Sequence, residues 1–216
     1  MWTRRFLLKG CAALGVVATV GCAQPVRTAP PVITLLGDSV FAGYGLSSKD
    51  ALPVRLQAAL TTRGIKAVVR GAGVSGDTTA DGLARLDRSV ARDTTVCVIE
   101  LGANDFLRMV NPERITDNLT AIAKRLTSRG TTVIMLGGLA PVGTPPAYAN
   151  RFNEAFSKAA ARSQVTLVPD FFHGILESPS LVQPDRFHPN ARGAQVLADR
   201  LVAPIAEALR VKQVAD

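Results

Sequence analysis

Thr95-Val96-Cys97-Val98-Ile99-Glu100-Leu101-Gly102-Ala103-Asn104-Asp105 is the stretch on which the reading of the fold turns. Val96 to Leu101 is a near-continuous apolar run rather than an alternation of apolar and polar residues, so the strand it forms must be covered on both faces. A polar, Gly-bearing turn follows at once. Comparable runs at Val32–Leu36, Ala67–Arg70, Thr131–Leu136 and Val165–Val168 bring the expected strands to five. Helical patterns separate them near Ala51–Arg63, Thr79–Ala91, Pro112–Arg129, Tyr148–Arg162 and Ala191–Leu209, with Gly64 and Gly130 as stops. Pro204 is expected to kink or divide the last of these. Buried strands joined by single helices imply an α/β protein, a three-layer sandwich built on an open, doubly wound, five-stranded parallel sheet.

The 216 residues suit one domain, and with 47% hydrophobic residues the chain has ample material for a core. Residues 1–23 read as an export signal: Arg4, Arg5 and Lys9 precede an apolar run from Cys11 to Val20, and small residues follow around Gly21-Cys22-Ala23. That run is well short of the roughly 20 residues a membrane-spanning helix needs. Thr3-Arg4-Arg5-Phe6-Leu7-Leu8-Lys9 resembles a twin-arginine signal, and both Tat and Sec export stay open. Cys22 is a candidate lipid anchor, with ordinary cleavage after Ala23 as the other reading. The expected location is the periplasm or a membrane-anchored lipoprotein. Residues 24–31 form a Pro-rich tether, 32–211 the folded domain and 212–216 a short tail.

The net charge of +8 raises nucleic acid as a partner. The basic residues are scattered singly and aromatics make up only 5% of the chain, so a solvated surface is expected and no nucleic acid partner. Cys97, inside an apolar run, reads as a core residue and not as part of a disulfide framework. Two histidines 15 residues apart give no metal-ligand spacing, so neither metal nor cofactor is expected. A monomer is expected.

In a doubly wound sheet, chemistry collects at the carboxyl ends of the strands. Gly37-Asp38-Ser39 follows the first expected strand, Val74-Ser75-Gly76-Asp77 the second and Gly102-Ala103-Asn104-Asp105 the third; Asp185-Arg186-Phe187-His188 precedes the last helix. These supply what acyl transfer requires. Ser39 is a candidate nucleophile on a tight turn where Gly37 permits an awkward backbone. His188 is a candidate base, with Asp185 three residues away to orient it. Gly76 and the amide of Asn104, with the N–H of Ser39, are candidate oxyanion donors. Each segment alone reads equally well as turn chemistry, and His173, among Phe171, Phe172 and Ile175, reads as a packing residue.

Taken together, Gly37-Asp38-Ser39, Gly76, Gly102-Ala103-Asn104-Asp105 and Asp185-Arg186-Phe187-His188 resemble the four blocks of the SGNH (GDSL) hydrolases, in order and along most of the chain. Val74-Ser75-Gly76-Asp77-Thr78-Thr79 and Arg151-Phe152-Asn153-Glu154-Ala155-Phe156 are similar to the bacterial thioesterase I/protease I/lysophospholipase and arylesterase group. The resemblance implies strand order 2-1-3-4-5, a Ser39–His188–Asp185 triad, an oxyanion hole of Ser39, Gly76 and Asn104, and a small acyl ester, thioester or lipid as substrate. Val40 stands where the family has Leu, Ala103 where Gly is frequent, and Leu52-Pro53 where Trp-Pro is common. Two other readings keep the same chain: an envelope carbohydrate O-acetylesterase using the same triad, and a non-catalytic envelope binding lipoprotein.

Overall fold

The computed structural model describes residues 29–215. The expected export signal, most of the tether and the candidate anchor Cys22 lie outside the described residues. Five parallel strands form one sheet in the order β2-β1-β3-β4-β5: β1 Val32–Gly37, β2 Val68–Gly73, β3 Thr94–Glu100, β4 Thr132–Leu136 and β5 Thr166–Val168. The chain leaves β1, adds β2 on one side and returns to add β3 on the other. Order therefore reverses at β1/β3, and a crevice opens beyond the carboxyl ends of those two strands.

The alternation of side chains sorts the sheet into two apolar layers. Ile33, Leu35, Val96, Val98, Ile134 and Leu136 face one way, where they pack with α2 (Leu52–Thr62) and α8 (Ala191–Ala215) through Leu56, Leu60, Leu197, Leu201 and Ile205. Leu36, Cys97, Ile99, Val133 and Met135 face the other way. They meet α6 (Pro112–Thr127) and α7 (Pro146–Ser163) through Ile115, Leu119, Ile122, Phe152 and Phe156. Cys97 is fully buried, and burial pushes its thiol up to about 12, so it is packing material and not a nucleophile.

Several boundaries differ from the sequence reading. The helix expected over Thr79–Ala91 is two, α3 (Thr79–Ala84) and α4 (Leu86–Ser89), because Arg85 between them turns inward to bind backbone carbonyls. β2 runs on to Gly73, three residues past the expected end, paired in register with β1. Pro204 does not divide the last helix. α8 is assigned through it and beyond residue 211, with Leu201, Val202, Ile205, Ala208 and Leu209 holding both sides of the proline against the sheet. No described helix is long and apolar enough to cross a membrane.

The first turn of the site is wedged between strands. α1 (Ser39–Ala42) follows β1 directly and lies against the end of β2, where Gly73 has no side chain. A Cβ on Gly73 would stand 2.2 Å from the Ala42 nitrogen and 2.4 Å from the Phe41 carbonyl carbon. Both are backbone atoms, which cannot swing aside. Gly73→Ala is therefore expected to destabilise the fold by about 1–3 kcal/mol, lowering Tm in a thermal melt by several degrees; an unchanged Tm would contradict the close packing of this turn.

Candidate active site

Ser39 is the first residue of α1, and its neighbour Asp38 caps that helix by accepting from Val40 N at 3.3 Å. Gly37 does not need an unusual backbone, since its φ is not positive. The glycine is required for space: a Cβ there would lie 2.7 Å from both the Glu100 carbonyl oxygen and a ring carbon of Phe41, and 2.8 Å from Glu100 Oε2. The turn can thus sit flush against the end of β3.

The loop before α8 brings His188 to this turn across 149 residues of sequence. His188 Nε2 is 2.9 Å from Ser39 Oγ, and Nδ1 is 2.7 Å from Asp185 Oδ2. Asp185 Oδ1 accepts from the backbone N–H groups of Phe187 (2.9 Å) and His188 (3.0 Å), so the carboxylate orders its own loop and the imidazole together. Those bonds depress the Asp185 carboxyl to about 2, the Phe187 N–H first and the His188 side chain next.

The His188 loop is fastened by residues that the motif does not include. Val182 and Pro189 form an antiparallel bridge, and Gln183 N donates to His188 O at 2.8 Å. Gln183 Nε2 donates to Tyr44 O (2.7 Å) and Pro189 O (3.0 Å), tying the loop to the chain just beyond α1. The Tyr44 ring lies 4.6 Å from the imidazole, centroid to centroid. Asn190 caps α8 through Arg192 N and Gly193 N. Asn190 in a loop before a helix carries a readable capping signal; nothing in the sequence marks Gln183 or Tyr44.

Gly76 and Asn104 also reach this edge. Gly76 has φ +88°, a conformation costly for other residues, and its N–H makes no hydrogen bond among the described residues. Its loop is held from two sides: Arg108 Nη2 donates to Gly76 O at 2.9 Å, and buried Arg85 spans Asp77 (2.5 Å), Ala72 O (2.8 Å) and Gly37 O (2.9 Å). Asn104 lies in α5 (Ala103–Leu107) and donates from Nδ2 to Asp38 Oδ2 (3.2 Å) and Asp77 O (3.0 Å). Both amide hydrogens are thus engaged. Asp105 is more than turn chemistry: buried, it accepts from Thr79 N (2.7 Å) and Thr79 Oγ1 (2.6 Å) and so locks α5 to α3.

His173 is exposed, contrary to its reading as a packing residue; Phe171 and Ile175 beside it fill the core instead. It lines a cavity of about 550 Å3 that starts at Asp38, Val40 and Glu100 and runs between Phe106, Phe152, Phe156, Phe172 and Phe187. The cavity is mostly apolar and lies directly beside the Ser39 turn. No group of three or more His, Cys, Asp or Glu side chains placed to hold a metal occurs among the described residues.

Residues 35–196 match the model of the GDSL-like Lipase/Acylhydrolase family. The chain is 36% identical over 191 residues to the esterase TesA of Pseudomonas aeruginosa, covering 86% of this chain and 90% of that protein. It is 32% identical over 176 residues to the thioesterase 1/protease 1/lysophospholipase L1 of Escherichia coli K12, covering 79% and 81%. Among solved structures, the psychrotrophic esterase EstA from Pseudoalteromonas sp., inhibited by monoethylphosphonate, superposes with a TM-score of 0.78 at 28% identity, covering 83% of this chain and 98% of EstA. With its strand order, its Ser39–His188–Asp185 geometry and these likenesses, the chain belongs to the GDSL (SGNH) lipase/acylhydrolase family and is an ester-bond hydrolase.

Proposed function

We propose that the protein hydrolyses carboxylic esters or thioesters through an acyl-enzyme formed on Ser39. The observation that carries the reading is the continuous hydrogen-bonded line from Ser39 Oγ through the imidazole of His188 to the Asp185 carboxylate. In the first step Ser39 Oγ attacks the acyl carbon while its proton passes to His188 Nε2. Asp185 keeps Nδ1 protonated and stabilises the imidazolium. The carbonyl oxygen becomes an oxyanion received by the N–H groups of Ser39 and Gly76 and by Asn104 Nδ2, which gives up one of its two present partners to do so. The tetrahedral adduct collapses, the bond to the leaving oxygen or sulfur breaks, and His188 returns the proton to that atom. Water, deprotonated by His188, then attacks the acyl-enzyme and releases the acid and Ser39.

The cavity beside the turn favours an acyl chain of medium length or a lipid over an acetyl group. Its volume lies within the roughly 300–1,000 Å3 of ligand pockets, and its lining is mostly aromatic and aliphatic, with Asp170, His173, Glu177 and Arg186 among the polar exceptions. Export, either anchorage at Cys22 or cleavage after Ala23, and action as a monomer complete this reading and rest on the sequence.

On p-nitrophenyl esters, octanoyl is expected to give a higher kcat/KM than acetyl. Turnover confined to acetyl would instead identify a carbohydrate O-acetylesterase with the same triad. Ser39→Ala is expected to lower kcat by about 10⁶ and Asn104→Ala by about 10²–10³, the latter with little change in Tm. A Ser39→Ala enzyme that retained most of its rate would sink the assignment.

The depressed Asp185 carboxyl stays charged far into acid. Its stabilising effect is complete above the unfolded value of about 3.9 and is lost as pH falls through about 2. Protonation of Asp185 should therefore cost no rate until about pH 2. Asp185→Asn is expected to lower kcat by about 10⁴. A two-proton acid limb at moderate pH would contradict this placement of charge.

A further inference from the structure

Glu100 is a buried acid that the steps above do not use. It ends β3, is 4% exposed, and faces the turn that carries Ser39. Asp38 N donates to its Oε2 at 3.3 Å, which sets the Glu100 carboxyl against the Asp38 turn, close enough for the charge of Asp38 to act on it. The missing side chain of Gly37 leaves the room for this contact, since a Cβ there would be 2.8 Å from Oε2.

Two carboxyl groups in contact away from water do not both ionise, so the pair shares one proton. Donor counting says which group keeps it. Asp38, itself 0% exposed, accepts from Val40 N on Oδ1 (3.3 Å) and from Asn104 Nδ2 on Oδ2 (3.2 Å), while the Ser39 hydroxyl hydrogen is engaged by His188. Glu100 accepts from a single backbone N–H. The anion belongs on Asp38 and the proton on Glu100. Burial, and then the charge of Asp38, push the Glu100 carboxyl well above the usual range, in agreement with that placement.

We propose that Glu100 is a positioning residue which, as a neutral acid, donates a hydrogen bond to the Asp38 carboxylate and thereby fixes both the Ser39 turn and the amide of Asn104. It acts on the reaction through Asp38 and makes or breaks no bond with the substrate, although one side of it borders the cavity. The shared proton also serves the oxyanion step. When Asn104 Nδ2 leaves Asp38 for the forming oxyanion, the Glu100 O–H remains on Asp38, so the carboxylate is not stranded without that donor. The proposal rests on the hydrolytic reading of Ser39 for its kinetic consequences, but the proton on Glu100 is independent of turnover.

The test uses Glu100→Gln and Glu100→Leu in the full chain, with kcat and KM on a p-nitrophenyl ester, thermal unfolding, and infrared spectra at neutral pH. Gln can still donate to Asp38, so E100Q is expected to keep kcat within a few-fold of wild type. E100L cannot, and is expected to lose about 10–100-fold in kcat with KM nearly unchanged, less than the 10²–10³ for losing an oxyanion donor itself. Wild type should show the C=O band of a buried protonated carboxylic acid, absent from E100Q. The proposal is overturned if E100Q falls as far as E100L, if folded E100L keeps the wild-type kcat, or if the acid band is missing from wild type. Should E100L not fold, the E100Q kinetics and the infrared band decide. A wild-type protein with the acid band but no ester hydrolysis would defeat the reading of Ser39 and leave the proton on Glu100 standing.

Discussion

The contact between the carboxyl end of β1 and the last residue of β3 is the constraint on which the site depends. Strand order reverses there, so the two loops that follow diverge and leave a crevice. Gly37 lets the strands' polar ends meet without a side chain between them, and Gly73 lets α1 press against the third strand of the group, β2. Asp38 sits in the middle of this junction with no exposure to solvent. Its backbone oxygen accepts from Ala42 N, and its carboxylate accepts from Val40 N and Asn104 Nδ2. Ser39 is placed by this turn before any substrate arrives.

Around the junction the remaining parts are supported by neighbours rather than by long, free side chains. Arg85 binds the ends of β1 and β2 and the Asp77 loop at once, which makes the spacing between Ser39 and Gly76 a property of the sheet. Asp105 and Thr79 do the same for the end of β3. The His188 loop is the longest excursion. It is held by a β-bridge, by Gln183 to the chain beyond α1, and by the Asn190 cap of the final helix. Such backing is what the proposed constellation needs to stay within the tolerance that acyl transfer demands.

Much of this was legible in the residues. Near-continuous, β-branched apolar runs such as Val96–Leu101, too short for a helix and closed by a Gly-bearing turn, read as buried strands, and Asp185 and His188, three apart in one loop, meet by local geometry. The 2.9 Å approach of His188 to Ser39 was not a matter of local pattern; it followed from where a doubly wound sheet gathers its loops. What the sequence hid depends on tertiary contact. Arg85 divides an apparent helix because backbone carbonyls need its guanidinium. Pro204 passes unbroken because apolar packing on both sides outweighs one lost hydrogen bond. Gly37 looked like a residue chosen for conformation and is one chosen for space, a distinction that exists only once Glu100 is in place. Glu100 itself sat inside an apolar run with nothing to mark it as a partner of Asp38.

The central claim is that the hydroxyl of Ser39 is activated by His188 for attack on an acyl carbon. A fluorophosphonate reports on that activation without any assumption about the natural ester, because only an activated serine displaces the fluoride. Intact-mass and peptide-mapping spectra of the treated protein are predicted to show one phosphonyl group, carried on Ser39. Absence of an adduct, or an adduct on another residue with Ser39 unmodified, would contradict the account.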